Sequence, residues 1–233
     1  MRFVLSALAL LFASGAAAQS AAPDALPDSV RQRLQIELTH LKAEDQRVRY
    51  MYEYGTFSPC VADSFRLALK DLPIEENIAR SQALQAEADA RTSPEEKAAL
   101  LQIMNSTDAA ILARLREIIA AHGWPSDERT GADASPVVFL LHSPHAMDEM
   151  RDELLAEVAA GRLPAREFAM AVDKSRKVRG ERQLYGTGNE FDAETRTILP
   201  PRIDSIEATN AARREIGLEP LAEYRIAGRQ AAE

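Results

Sequence analysis

Over most of the chain apolar residues return every three or four positions, the period of helices that bury one face. Val30, Leu34, Leu38 and Leu41 form the first such stripe, with Asp28 or Ser29 available to cap it. The pattern runs on through Val48 to Tyr54, where Gly55 and Pro59 stop it. Val61–Leu72 and Ile74–Ala90 predict two further helices, the second tolerating Pro73 at its first turn. Ser93-Pro94-Glu95-Glu96 is a stronger start signal: serine at the cap, proline first and glutamate third make a capping box. The helix it opens carries Leu100, Met104, Ile111, Leu115 and Ile118 and ends at Gly123, weakened only at Asn105-Ser106-Thr107.

From Trp124 to Ala134 the turn-forming residues predict a loop. Ser135-Pro136 and Ser143-Pro144 then each offer a cap followed by proline. They bracket a short apolar segment, Val137–His142, and open a helix over Pro144–Ala160 that Gly161 closes. Pro164–Arg179 reads as another helix, with Leu163, Phe168, Met170 and Val172 apolar, stopped by Gly180. The pattern changes at Gln183. Tyr185-Gly186-Thr187-Gly188-Asn189 interrupts regular structure, and Thr195–Leu199 favours an extended strand, so a small hairpin is expected. Pro200-Pro201 ends it. Asp204 can cap Ile206–Ile216 with Glu207 completing a capping box, Gly217 closes that helix, and Pro220–Ala227 makes a last short one. The fold expected is mainly α: a multi-helix globular domain with a small β-hairpin near the C-terminal third.

The N-terminus breaks the amphipathic pattern. Arg2 precedes an apolar run from Phe3 to Phe12 interrupted only by Ser6, and Ala16-Ala17-Ala18 supplies the small residues a signal peptidase accepts. The run is shorter than the about 20 apolar residues that cross a bilayer, so no stable membrane anchor is expected after cleavage. Residues 1–18 therefore read as a signal peptide and 19–27 as a flexible leader. Residues 28–123 form a helical region and 124–233 a motif-rich one, packed together as one domain. A periplasmic or secreted protein beginning at Gln19 is the expectation.

Charge and cysteine usage narrow the partners. Residues 1–18 hold Arg2 and no acid, so the formal charge passes from −8 to −9 on cleavage. That balance argues against binding nucleic acid, which calls for a basic face. The one cysteine, Cys60, has no internal partner; it is read as a buried small hydrophobe, with an intermolecular disulfide or reactive thiol as the alternative. No Gly-x-Ser-x-Gly, phosphate-binding glycine loop or Cys-His pair is present, and no cofactor or metal is expected.

Several motifs are carried by the C-terminal half: His122-Gly123-Trp124-Pro125, an apolar segment ending in histidine, Gln183-Leu184-Tyr185-Gly186-Thr187, and Arg213-Arg214-Glu215-Ile216-Gly217-Leu218 followed by Tyr224. Together they resemble a bacterial family, domain of unknown function 6624, over Asp108–Tyr224 and more loosely at Glu44-Asp45-Gln46-Arg47. The resemblance implies grouping and fold; it brings no activity, substrate or cofactor. Its Gln-His pair falls at Leu141-His142 by spacing to Gly161, or at His145 in the other register, and its final glutamine is Gly188 here.

Among these residues His142, Asp173 and Tyr185 are the catalytic candidates, and His145, Gln183, Gly186, Thr187 and Arg213 the ligand-binding ones. His142 and His145 flank a helix start whose free N–H groups favour anions. Two imidazoles there could orient a phosphate or carboxylate, exchange protons, or hold a metal with Asp148 or Glu149. Each candidate has a plain structural reading as well. Asp173-Lys174, with Arg176 and Lys177, can be a solvated helix face; Tyr185 can be a core ring; Trp124 can anchor its turn; Glu44–Arg47 and Asp45–Arg49 can be helix ion pairs. Two functions follow: a cell-envelope binding or structural module whose partner is a protein or small molecule, or a small hydrolase-like enzyme gathered around His142, Asp173, Tyr185 and Gln183.

Overall fold

A computed structural model describes residues 25–132, 135–192 and 197–221. The expected signal peptide, most of the leader, the start of the second strand, the helix at Pro220–Ala227 and Tyr224 lie wholly or almost wholly outside the described residues. Within them the chain is mainly α, with one pair of short strands.

The helices are α1 (Asp28–Tyr54), α2 (Pro59–Lys70), α3 (Ile74–Arg91), α4 (Pro94–His122), α5 (Asp127–Thr130), α6 (Val137–His142), α7 (Ala146–Ala159), α8 (Ala165–Val178) and α9 (Ile206–Glu215). Strands β1 (Glu190–Asp192) and β2 (Thr197–Leu199) precede α9. They pair antiparallel, with Phe191 opposite Ile198, and Gln183 makes an isolated parallel bridge to Ile203.

Local signals set most boundaries. Gly55 closes α1 in the left-handed region at φ +66°, and Ser93 and Glu96 form the capping box that starts α4. Other boundaries differ from expectation. Pro27 rather than Asp28 or Ser29 precedes α1, with no side-chain cap. A single helical turn, α5, sits inside the expected Trp124–Ala134 loop. Ser205 caps α9 by accepting the Ala208 N–H, so Asp204 is outside the helix and no capping box with Glu207 forms.

The α7 start also shifts. Ser143-Pro144-His145 makes a tight turn whose carbonyls accept the N–H groups of Ala146, Met147 and Asp148, so helix begins at Ala146 and those three donors are occupied. The expected anion-favouring N-terminus is thereby closed by backbone. Cys60 is exposed near the start of α2, not buried as expected.

α1 packs along α4 and touches α3, α5 and α2; α6 packs on α8 and α4, and α7 on α8. One apolar core joins Leu38 of α1, Ile111, Leu115 and Ile119 of α4, Trp124, Phe139 and Leu140 of α6, Met150 and Leu154 of α7, Phe168 and Val172 of α8, Tyr185 and Ile216. α2 and α3 stand aside from it, burying Ala62, Leu69, Leu84 and Ala88. The core thus fixes α1, α4, α6, α7 and α8 relative to one another.

Candidate functional site

Asp173 points into the fold, although its neighbour Lys174 is exposed. Its Oδ1 accepts the backbone N–H groups of Leu184 (2.8 Å) and Tyr185 (2.9 Å), and its Oδ2 accepts the N–H (2.9 Å) and hydroxyl (2.8 Å) of Thr187. Four donors on one buried carboxylate satisfy backbone that the irregular segment leaves unpaired. The solvated-face reading of Asp173 is therefore corrected. Arg176 and Lys177 reach instead to the carbonyls of Arg182 and Asn189.

Gln183 closes the same turn. Its Nε2 donates to the Gly188 carbonyl at 2.6 Å and to Glu190 at 3.0 Å, while its Oε1 accepts the Gly188 N–H at 2.9 Å. Gly186 has φ +64°, and Leu221 packs 2.9 Å from where a Cβ would stand, so its approach serves a packed side chain. From α9, Arg213 donates to the Tyr185 carbonyl (2.8 Å) and the Glu219 carbonyl (2.6 Å). Tyr185 is a core ring against Phe168, centroids 6.2 Å apart. Burial pushes its phenol above the ordinary value, against the pull of Arg151.

A second lock forms at the Gly-Trp-Pro turn. Trp124 is fully buried and its backbone N–H donates to Glu157 Oε2 at 2.7 Å. Arg162 grips both oxygens of that carboxylate, at 2.6 and 2.7 Å, and Arg129 donates to the carbonyls of His122 and Trp124. Burial pushes the Glu157 carboxyl up, but Arg162, the Trp124 N–H and Arg129 outweigh it and hold the group below its ordinary value. A cavity of about 420 Å³ opens over this turn, but Glu157, Arg162 and Arg129 on its wall already hold the turn together.

A second cavity is a cleft of about 400 Å³ between α4 and the α6–α7 turn. Asp108, Leu112 and Arg116 of α4 form one side, and His142, His145 and Glu149 the other. His142 is the last residue of α6 and sits partly exposed on the wall, its side chain 26% accessible. Behind it, Nδ1 lies 2.8 Å from Oδ1 of Asp45, a carboxylate on α1 with 1% side-chain exposure. An ionised carboxylate only accepts, so Nδ1 carries the hydrogen and Nε2 is left with the lone pair.

Two further side chains, Gln46 and Arg49, hold Asp45. Gln46 Nε2 donates to its Oδ2 at 2.5 Å, and Arg49 Nε donates to Oδ1 at 3.2 Å. Arg49 then reaches Asp108 at 2.5 Å through Nη2. Burial pushes the Asp45 carboxyl up, but the hydrogen bond and charge of His142, the charge of Arg49 and the Gln46 amide outweigh it and keep it below its ordinary value. Asp45 therefore stays ionised down to acid pH; its stabilising contribution is present above its unfolded value and lost as pH falls through the lower folded one. A carboxylate that fixes one nitrogen of a partly exposed imidazole on a cleft wall is the arrangement of a positioned general base.

The structure divides the sequence candidates into two groups. His142 and His145 line the cleft; Asp173, Tyr185, Gln183, Gly186, Thr187 and Arg213 build the lock, and none of these six lines the cleft. Asp148 and Glu149, weighed with the histidines as ligands, are bound to Arg179 and Arg116. Among the described residues no group of three or more metal-type side chains converges. The residue missed is Asp45. Its pairing with Arg49 was expected and is found, as is Glu44 with Arg47, but its partner 97 residues on leaves no local signal.

A family model described as "Family of unknown function (DUF6624)" matches residues 70–231. The chain belongs to this family. Both polar locks and the helices α4, α6 and α7 that wall the cleft lie within the DUF6624 match, whereas Asp45 and Arg49 precede it. No curated protein and no solved structure matches the chain.

Proposed function

We propose that this DUF6624 protein is exported and that the α4/α6–α7 cleft binds a small polar molecule, with His142 as the proton-exchanging group of a hydrolase-like reaction. The Asp45–His142 hydrogen bond carries this reading: it spends a nearly sealed carboxylate on orienting a ring that faces open space. Nε2 of His142 takes a proton from a water molecule and returns it to the leaving group, while Asp45 stabilises the imidazolium formed in between. Ser143 also lines the cleft but makes no hydrogen bond with His142, so water is the nucleophile assigned.

Export rests on the pattern of residues 1–18, and no helix among the described residues is long and apolar enough to cross a membrane. Finding the chain starting at Gln19 in the periplasmic or culture fraction supports it; an unprocessed chain confined to the cytoplasm opposes it.

The activity is tested with a panel of chromogenic carboxylic esters, phosphate esters and anilides. Turnover that falls by about 10²–10⁴-fold in His142→Gln, with the melting temperature kept within a few degrees, is the expected result. Turnover equal in the variant and the parent refutes it. A second reading, a binding module without catalysis, is favoured by the commitment of Asp173, Gln183, Thr187 and Arg213 to structure. It predicts a thermal shift with panel compounds and no turnover by any of them.

A further inference from the structure

The geometry points to Arg49 as a positioning residue that divides its charge between Asp45 and Asp108 and so sets how strongly the cleft's histidine, His142, holds a proton. The inference rests on the assignment of His142 as the proton-exchanging group.

Arg49 is 11% exposed and lies between two carboxylates of different standing. Asp45, at 3.2 Å from Nε, touches the imidazole, while Asp108, at 2.5 Å from Nη2, belongs to the cleft wall. One guanidinium serves both, and Asp45 and Asp108 together carry one more negative charge than Arg49 neutralises. A proton on His142 restores neutrality within this group of four side chains. The other charged or titratable groups facing His142 across the cleft are Arg116 on α4 and His145 and Glu149 on α7. Arg116 and Glu149 neutralise each other at 2.6 Å. The carboxylate in contact with the imidazole, Asp45, thus shares its cation, Arg49, with Asp108.

Removing each partner of the Arg49–Asp108 pair must then act in opposite directions. Loss of the guanidinium leaves Asp45 and Asp108 uncompensated and favours the imidazolium. Loss of the Asp108 charge leaves Arg49 more positive and disfavours it. A residue that merely braced α1 against α4 would give no such opposition: either cut would loosen Asp45 from the ring and move its titration the same way.

The test is an NMR titration of the His142 ring in the full chain, read without substrate, in the parent and in Arg49→Gln, Arg49→Lys and Asp108→Asn. The midpoint is expected to rise by at least about half a pH unit in Arg49→Gln, to fall by a similar amount in Asp108→Asn, and to stay near the parent in Arg49→Lys. Shifts of the same sign in the Arg49→Gln and Asp108→Asn proteins, or no shift in either, overturn the assignment. Should Arg49→Gln fail to fold, the sign in Asp108→Asn decides alone: a fall supports it, and a rise or no change refutes it. Since no turnover is measured, failure of the hydrolase reading leaves this outcome intact, and opposed shifts without catalysis would mark a proton-coupled binding site.

Discussion

Replacing Asp173 by alanine should cost about 4 kcal/mol. The side chain accepts four hydrogen bonds within 2.9 Å, three of them from backbone N–H groups. Each bond to a charged acceptor contributes roughly 1.5–3 kcal/mol, and each buried donor left unpaired costs roughly 1–3 kcal/mol. The full sum is not reached, because Leu184 and Thr187 are half-buried and water can replace part of what they lose. The Tyr185 N–H is sealed in the core and has no such replacement. Asp173→Asn should cost about half as much, since its oxygen can keep Leu184 and Tyr185 while its amide faces the Thr187 N–H. Urea unfolding followed by tryptophan fluorescence suits the measurement, Trp124 being the only tryptophan. A loss below about 1 kcal/mol for the alanine protein, or an asparagine protein less stable than the alanine one, would refute the reasoning.

Two further substitutions test the second lock and the α5–α8 seam. Gly123 sits at φ +72°, ψ −179°, a region essentially closed to other residues, and a Cβ there would run into Arg162 and Glu157; Gly123→Ala should destabilise by about 3 kcal/mol in the same assay, and a loss under about 1 kcal/mol would contradict it. Burial, reinforced by Asp127 and Glu128, raises the Glu167 carboxyl above its ordinary 4.5 despite the Ser135 hydrogen bond, and its Oε2 is buried without a partner. A raised folded value means that the protonated form is the stabilised one: its contribution is complete below the unfolded value and lost as pH rises through the folded one. Glu167→Gln should therefore be more stable than the parent at pH 7, on the order of 0.5 kcal/mol after solvent screening, with the gain vanishing toward pH 4; a loss at pH 7 would sink the assignment.

The helices were legible because their ends are written locally. Ser93 with Glu96, Gly55 and Gly123 each act on backbone within a turn of themselves, and sequence shows such neighbours directly. Where two residues compete for one role, the chain alone does not decide: Asp204 and Ser205 are both good caps, and it is the serine that accepts the Ala208 N–H. Asp173 was misjudged for a different reason. Its sequence neighbours are basic and point outward, but its partners are main-chain N–H groups eleven to fourteen residues away, which no side-chain pattern announces. Within the motif-rich segment, the hydrogen bonds of Asp173 and Gln183 hold its own turn.

The cleft was half legible. His142 was expected at the end of Val137–His142, flanking Ser143-Pro144, and it does close α6; what differs is that the N–H groups expected to favour anions are spent on the intervening turn. Asp45 looked like one half of a helix ion pair with Arg49, which it also is. Its second role exists only because α1 and α4 pack together and bring α6 against them, a tertiary event that carries residue 45 to residue 142.

The most direct measurement of the account is the tautomer of His142, read from long-range proton–nitrogen correlations of its ring above its titration midpoint. With Asp45 accepting from Nδ1, the hydrogen should reside on Nδ1 and leave Nε2 unprotonated toward the cleft, and Asp45→Asn should abolish that preference. A ring protonated on Nε2, unchanged by Asp45→Asn, would contradict the assignment of His142 as the positioned base.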